Sequence, residues 1–394
     1  RTKGLRTHMM AKQERLSSLD AFRGFTIAGM MLVNNPGSWS TIYPQLEHAS
    51  WNGWTFTDFI FPFFLWIVGV AMTMSLAARI ARGDTKGVLI ARAARRGAVL
   101  FAIGWALSAF PFGFFGTHFA LETTRTSGVL QRIGLCYFFA TLIYLNASVR
   151  AQVAWIFGLL AAYWIALTMI PVPGYGAGDL TPMGNIGRFI DTMILGPTHT
   201  WHGAPAPGFD PEGVISTLGA LSTTLLGVLV GQYLRMREVS KEEQTCWMFV
   251  SGCMLLLLGV IFDMWMPINK NLWTPSFVLL MAGFAMCIFA LCYFLIDAKG
   301  YKKYTTPLVI YGMNAIFVYT LSELLVRIKG FIKFSVILGD GSTAWVTLQQ
   351  LVMENIFLRI FTPLNASLAW AILWDLMLLF FAWLMWRKKW FLKI

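Results

Sequence analysis

His48 and Asp58 stand ten residues apart in His48-Ala49-Ser50-Trp51-Asn52-Gly53-Trp54-Thr55-Phe56-Thr57-Asp58, the stretch of the chain richest in groups that do chemistry. An imidazole titrates near neutrality, which suits proton transfer or nucleophilic attack at pH 7. A carboxylate holds an imidazole in one tautomer, so the two residues read as a base and its orienter. The same stretch also reads as an interfacial belt of Trp and His where helices meet water. Spacing alone leaves both readings open.

Other polar groups sit where apolar sequence surrounds them. Asp20 and Arg23 lie three apart in Ser17-Ser18-Leu19-Asp20-Ala21-Phe22-Arg23-Gly24, on one helix face where they can pair. Either the pair fixes helix packing, or this face meets an anionic ligand with Arg23 as the phosphate-binding group. Asn34 and Asn35 precede Pro36-Gly37; they suit a turn, or donation to an oxyanion if they point inward. Glu323 and Arg327 are four apart and are expected to pair. Asp263 and Asp375 read as packing or substrate contacts, and Asp210-Pro211-Glu212-Gly213 as the acidic start of a helix. His199 and His202 lack a neighbouring Cys or carboxylate cluster and read as loop residues. No metal site is expected: the five cysteines are scattered and form no CxxC, and there is no HExxH, P-loop or GxGxxG.

The elements that must position these residues are membrane helices. The 394 residues are 57% hydrophobic and only 13% charged, against about 25% charged in a soluble domain. The net charge of +12 falls between apolar runs rather than in one patch, so a nucleic-acid partner is not expected. A spanning helix takes about 20 mostly apolar residues. Ten spans are predicted, at 18–38, 58–78, 97–115, 128–146, 151–170, 213–234, 246–266, 273–296, 307–327 and 364–386, in an all-α polytopic fold. The stretch 328–363 has room for a short interfacial or re-entrant helix. Of the 31 Lys and Arg, 22 fall on the side of the two termini, 8 on the other, and Arg23 within the first span. The positive-inside rule then puts both termini in the cytoplasm. It also puts three elaborate stretches outside: Asn35–Thr57, Pro171–Glu212 and Pro267–Trp273. Residues 1–14 read as a cytoplasmic segment, with Arg1–His8 an expression scar ahead of a start at Met9 or Met10, and 15–394 as the membrane domain.

Several short motifs, in order, carry a resemblance. Ser18-Leu19-Asp20-Ala21-Phe22-Arg23-Gly24, Val33-Asn34, His48-Ala49-Ser50-Trp51-Asn52-Gly53 and Asp58-Phe59-Ile60-Phe61-Pro62 come first. Gly128-Val129-Leu130-Gln131-Arg132-Ile133-Gly134, Asp210-Pro211-Glu212-Gly213, Asn269-Lys270-Asn271-Leu272-Trp273, Gly312-Met313-Asn314 and Arg387-Lys388-Lys389 follow. Together they resemble the heparan-α-glucosaminide N-acetyltransferase family over about residues 15 to 394. The resemblance implies a membrane enzyme that takes acetyl from cytoplasmic acetyl-CoA and delivers it to a glucosamine amine on the other side. It implies His48 as the key catalytic residue, with Asp20, Asn34 and Asp58 in supporting roles. Arg23, Arg132, Lys270, Asn271 and Asn314 fall in the same motifs and are the expected acetyl-CoA contacts. Compared with the animal lysosomal enzymes the chain lacks an extra N-terminal luminal domain and its preceding span. It therefore looks like a bacterial member in the inner membrane, whose acceptor need not be heparan.

Two further function classes make distinct predictions. A transporter of a sugar or related solute moves substrate without acetylated product, and such folds often show two matching halves, which are not evident here. A non-catalytic scaffold gains no stability from ligand. A homodimer is the base-rate expectation for association.

Overall fold

The apolar runs fold as helices. The computed structural model describes residues 16–114, 120–236, 238–337 and 342–392; the expected N-terminal segment 1–14 lies outside the described residues. In chain order the helices are α1 (Ser17–Asn34), α2 (Ile60–Ile80), α3 (Lys86–Ala109), α4 (Val129–Asn146), α5 (Val149–Met169), α6 (Ile186–Leu195) and α7 (Thr217–Tyr233). They continue with α8 (Lys241–Phe262), α9 (Pro275–Tyr293), α10 (Thr306–Met313), α11 (Ala315–Phe331), α12 (Leu348–Val352), α13 (Leu358–Ile360) and α14 (Pro363–Arg387). Ser148, Asn185 and Ser240 cap α5, α6 and α8 by accepting the N–H three residues on, which satisfies donors the helix leaves orphaned. Pro275 and Pro363 open α9 and α14, where a missing N–H costs nothing.

Six helical segments among the described residues are long and apolar enough to cross a membrane: Phe56–Ile80, Val129–Asn146, Val149–Met169, Lys241–Phe262, Pro275–Ala298 and Pro363–Arg387. A seventh is the pair Lys303–Met313 and Ala315–Phe331, bent by 64° at their junction, if it is one span. The other three expected spans coincide with α1, α3 and α7. Asp20 and Arg23 lower the hydropathy of α1, Lys86, Arg92, Arg95 and Arg96 that of α3, and α7 has only 17 residues.

Helix contact is close where the site needs it. A Cβ on Gly24 of α1 would fall on the Leu308 carbonyl oxygen of α10, and one on Gly312 would fall on the Asp20 carbonyl oxygen. The two helices therefore meet backbone to backbone, as small residues permit between membrane helices. One aromatic core surrounds Phe22 of α1, with Phe63 and Trp66 of α2 and Phe289 of α9 at 5.6, 6.2 and 5.8 Å.

Two expectations need correction. The basic stretch 79–96 is mostly not loop, because α3 begins at Lys86; an apolar run marks the part of a helix that suits lipid, not its ends. Asp210–Gly213 precede α7 rather than open it, because the Asp210 carboxylate is occupied by Arg125, Ser127 and the Glu212 N–H. Within 328–363, expected to have room for a short helix, short helical turns do run over 348–360, and before them β1 (Lys333–Ile337) pairs antiparallel with β2 (Thr343–Thr347). Their β-branched and aromatic residues, Val336, Ile337, Thr343, Trp345 and Val346, favour strands.

Candidate active site

Asp58 lies in a short helical turn, Phe56–Phe59, that leads into α2, and Thr55 caps that turn. The Asp58 carboxylate is used on both oxygens. Oδ2 accepts the N–H of Ala49 at 3.1 Å and that of Thr55 at 3.0 Å, which curls the 49–55 loop around it. Oδ1 is left for His48 Nδ1 at 2.7 Å. Asp58 is 1% exposed and the His48 side chain 48%. A carboxylate that only accepts fixes the proton on Nδ1 and leaves the Nε2 lone pair free.

The turn Pro267–Trp273 brings a third group. The Gly53 N–H donates to the Ile268 carbonyl at 2.7 Å, and Asn269 Nδ2 to Asn52 Oδ1 at 3.0 Å. Lys270 Nζ thereby lies 3.0 Å from His48 Nδ1, 3.2 Å from Nε2 and 3.7 Å from Asp58 Oδ1. An atom this close to both nitrogens cannot lie in the ring plane without striking the carbon between them, so the amine stands over the ring face. Burial lowers the Lys270 amine below the usual lysine range, against the opposing pull of the Asp58 charge.

His48 opens onto a cavity of about 800 Å³ that Asn34, Lys270 and Asn271 also line. Four of the expected site residues thus share one cavity with Asp58 directly behind it. On the outer wall Arg125 pairs with both Asp210 and Glu212. Burial alone would raise Asp210, but the Arg125 hydrogen bond and charge hold its carboxyl below the usual range. Trp201, His202 and Tyr319 complete that wall beside the Glu323–Arg327 pair, which forms as expected. Asn35, by contrast, is consumed in packing: its side chain donates to the Met31 carbonyl at 2.8 Å.

The remaining expected residues lie elsewhere. Asp20 pairs with Arg23 at 3.3 Å, some fourteen residues or roughly 21 Å along α1 from Asn34. Arg23 lines a second cavity of about 350 Å³ with Arg79 and Arg96. Asn314, at the α10–α11 break, donates to the Trp390 carbonyl and accepts from the Leu392 N–H, both at 3.2 Å, and so ties down the C-terminal residues. Arg132 is buried, gives Nη2 to the Gly213 carbonyl at 3.1 Å and stands over Trp273. Asp263 closes a turn with the Ile268 N–H at 2.6 Å, and Asp375 takes the Tyr311 hydroxyl at 2.6 Å.

The two cavities lie end to end along the same four helices. Phe61, Gly104, Gln131 and Tyr319 line the cavity of His48; Phe64, Leu100, Ile133 and Ile316 line the arginine-lined one, two to four residues away along α2, α3, α4 and α11. Residues 15–259 match the family described as heparan-alpha-glucosaminide N-acetyltransferase, catalytic. The chain belongs to that family. It is 29% identical to the human heparan-alpha-glucosaminide N-acetyltransferase over 98% of its own length and 61% of the human protein. It is 30% identical to the mouse protein of the same name, over 79% of its own length and 54% of that protein. The chain thus spans between half and two thirds of the curated relatives it matches. The matched residues take in six of the ten expected spans, and the apolar helices are those of a membrane protein.

Sequence reasoning missed the contact of Lys270 with His48, which joins residues 222 positions apart. It also gave no role to Arg79, Arg96 and Arg125. For Arg125 a signal existed: a basic residue between two expected spans, with the acidic Asp210-Pro211-Glu212 between two others.

Proposed function

We propose that the chain transfers acetyl from acetyl-CoA to the amine of a glucosamine-type sugar, with His48 as the proton acceptor. The observation that carries this reading is the Nδ1 contact of His48 with buried Asp58 at 2.7 Å, at the wall of an 800 Å³ cavity. The inner cavity supplies the matching donor end. Arg96 stands over the Tyr137 ring at 4.5 Å, and its buried Nε has no partner, a state that suits an anion. Arg23, Arg79 and Arg96 would hold the CoA phosphates, and the pantetheine arm would run between α2, α3, α4 and α11 toward His48.

In the reaction, the acceptor ammonium first gives one proton to solvent, and His48 Nε2 takes a second from the nitrogen as its freed lone pair bonds to the thioester carbonyl carbon. The C–S bond breaks, and the CoA sulfur leaves with the electron pair and takes the proton held on His48 Nε2. The amide and free CoA are the products. A glucosamine amine is largely protonated at pH 7, so a base is required. Lys270 and Asn34 stand on the same wall and would stabilise the developing oxyanion.

The ten-span arrangement with both termini cytoplasmic belongs to this reading. It sets the arginine-lined cavity against the cytosol, where CoA is found, and His48 toward the outside, in what we take as a bacterial inner membrane. The test is transfer of radiolabelled acetyl from acetyl-CoA to glucosamine by the purified protein. Label on the sugar supports the proposal, and label retained on the protein without acceptor replaces direct transfer by a covalent route. Solute movement without any acetylated product would overturn it in favour of a transporter.

A further inference from the structure

The residues after α14 do not trail away from it. Lys389 takes a positive φ of 56°. Its N–H reaches the Trp386 carbonyl at 3.0 Å, and that of Trp390 reaches the Met385 carbonyl at 2.9 Å. Glycine usually makes this reversal at a helix end, because a left-handed residue with a Cβ is disfavoured. Lys388 Nζ stands 5.0 Å over the Trp390 ring, a cation–π contact that adds to the hold on the turn. The stretch 388–392 therefore doubles back as an ordered strap.

Asn314 fastens this strap. It is the single residue between α10 and α11, where the helix breaks by 64°, and it is buried. A carboxamide offers one donor edge and one acceptor edge, and the strap takes both. Nδ2 donates to the Trp390 carbonyl and Oδ1 accepts from the Leu392 N–H, each at 3.2 Å, so the side chain pairs with the strap as a neighbouring strand would. Two residues earlier the Gly312 carbonyl accepts from Arg23 Nη1 at 3.4 Å. Gly312, Met313 and Leu392 then line the arginine-lined cavity with Arg23, Arg79 and Arg96. Leu392 is half exposed, which makes it a lip of that cavity rather than part of a packed wall. The lip follows directly on exposed Lys388 and Lys389.

We propose that the strap is part of the donor site: Leu392 covers the bound donor, and Asn314 is the positioning residue that holds Leu392 there. The ligand class is a thioester whose carrier joins phosphates to a less polar arm. Its phosphates suit the three arginines, with Lys388 and Lys389 drawing the polyanion to the mouth, and its arm suits an apolar lip. Asn314 touches no substrate in this scheme; it acts through the backbone of 390 and 392, in place of the direct contact its motif suggests. A lysine kept in a conformation that favours glycine is the kind of strain a functional site retains. This inference rests on the acetyl-CoA reading of the cavity and adds what closes it.

The experiment uses the full chain in detergent. Leu392→Cys is treated with N-ethylmaleimide, and its own peptide is followed by mass spectrometry, apart from the native cysteines. Acetyl-CoA has no free thiol to consume the reagent, and it is expected to slow this labelling about fivefold by covering the site. In steady-state kinetics Asn314→Leu is expected to raise KM for acetyl-CoA about tenfold, with kcat and KM for glucosamine within about twofold. Leu392→Met is expected to keep the wild-type KM for acetyl-CoA and Leu392→Asp to raise it. Should Asn314→Leu fail to fold, the labelling decides alone. A fall in kcat at unchanged KM in Asn314→Leu overturns the positioning role. Labelling indifferent to acetyl-CoA, beside a KM that responds to Arg96→Gln, overturns the strap and leaves the donor reading of the cavity standing. If neither responds, that reading fails and this inference with it.

Discussion

Lys270 Nζ stands over the His48 ring, 3.0 Å from Nδ1 and 3.2 Å from Nε2, while the buried Asp58 carboxylate holds Nδ1 at 2.7 Å. The imidazole is thus fixed between an amine and a carboxylate that come from distant parts of the chain. The carboxylate, which only accepts, assigns the tautomer. Lys270 is then a residue of the reacting centre as much as of the cofactor path.

Replacing Lys270 by Met separates those roles. If it acts at the reacting centre, kcat falls by about tenfold or more while KM for acetyl-CoA stays within about twofold. A rise in KM for acetyl-CoA at unchanged kcat returns Lys270 to the cofactor-contact role its motif suggested. Steady-state kinetics with acetyl-CoA as the varied substrate decide it.

His48→Ala and Asp58→Asn are each expected to lower transfer by about 10²-fold or more, the usual worth of a positioned base. The two differ in stability. His48 is half exposed and its loss leaves the fold intact, whereas Asp58 accepts the Ala49 and Thr55 N–H groups. An amide in that place keeps one acceptor oxygen at most, so a loss of about 1 kcal/mol, the size of a lost cap, is expected. Thermal unfolding beside the transfer assay checks both, and near-normal activity in a folded His48→Ala protein removes His48 from the mechanism.

At the inner cavity, Arg96→Gln is expected to raise KM for acetyl-CoA by about tenfold, the size of one charge-assisted hydrogen bond. KM for the amine is expected to stay unchanged. The wild-type KM should rise with salt more steeply than the variant's, because one phosphate contact is already gone. Equal KM values in the two proteins would detach this cavity from CoA.

What the sequence made legible was local. The Asp20–Arg23 and Glu323–Arg327 pairs follow from helical spacing, and His48 with Asp58 from residue type and a shared membrane face; all three pairs form. Each expected span overlaps helix, the ninth as the bent pair α10 and α11. Helices α3, α7 and α8 depart from their expected starts, and six single segments among the described residues are long and apolar enough to cross a membrane. Long-range partners were not legible. Lys270 reaches His48 only because Gly53 and Asn52 bond to the 268–269 backbone and side chain, and Arg125 meets Asp210 and Glu212 from another external segment. The pairing of Lys333–Ile337 with Thr343–Thr347 was hidden because short apolar runs do not distinguish strand from helix by pattern alone.

Asp191 supplies a pH dependence with a definite sign. It is buried under the 210–214 segment, where its Oδ1 accepts the Val214 N–H at 2.7 Å. Burial, helped by the nearby Asp210 charge, raises its carboxyl from the ordinary 3.8 to about 7. Between those two values the folded state holds a proton that the unfolded chain has released, so stability falls as pH rises through this window and levels off above about 7. At roughly 1.4 kcal/mol per unit the whole effect is a few kcal/mol. Asp191→Asn keeps an acceptor for Val214 and cannot ionise, so its Tm relative to wild type is expected to climb from pH 4 to pH 7 and then hold steady. A Tm difference that is flat over that range, measured in one detergent at constant ionic strength, would show that Asp191 is already ionised in the folded protein.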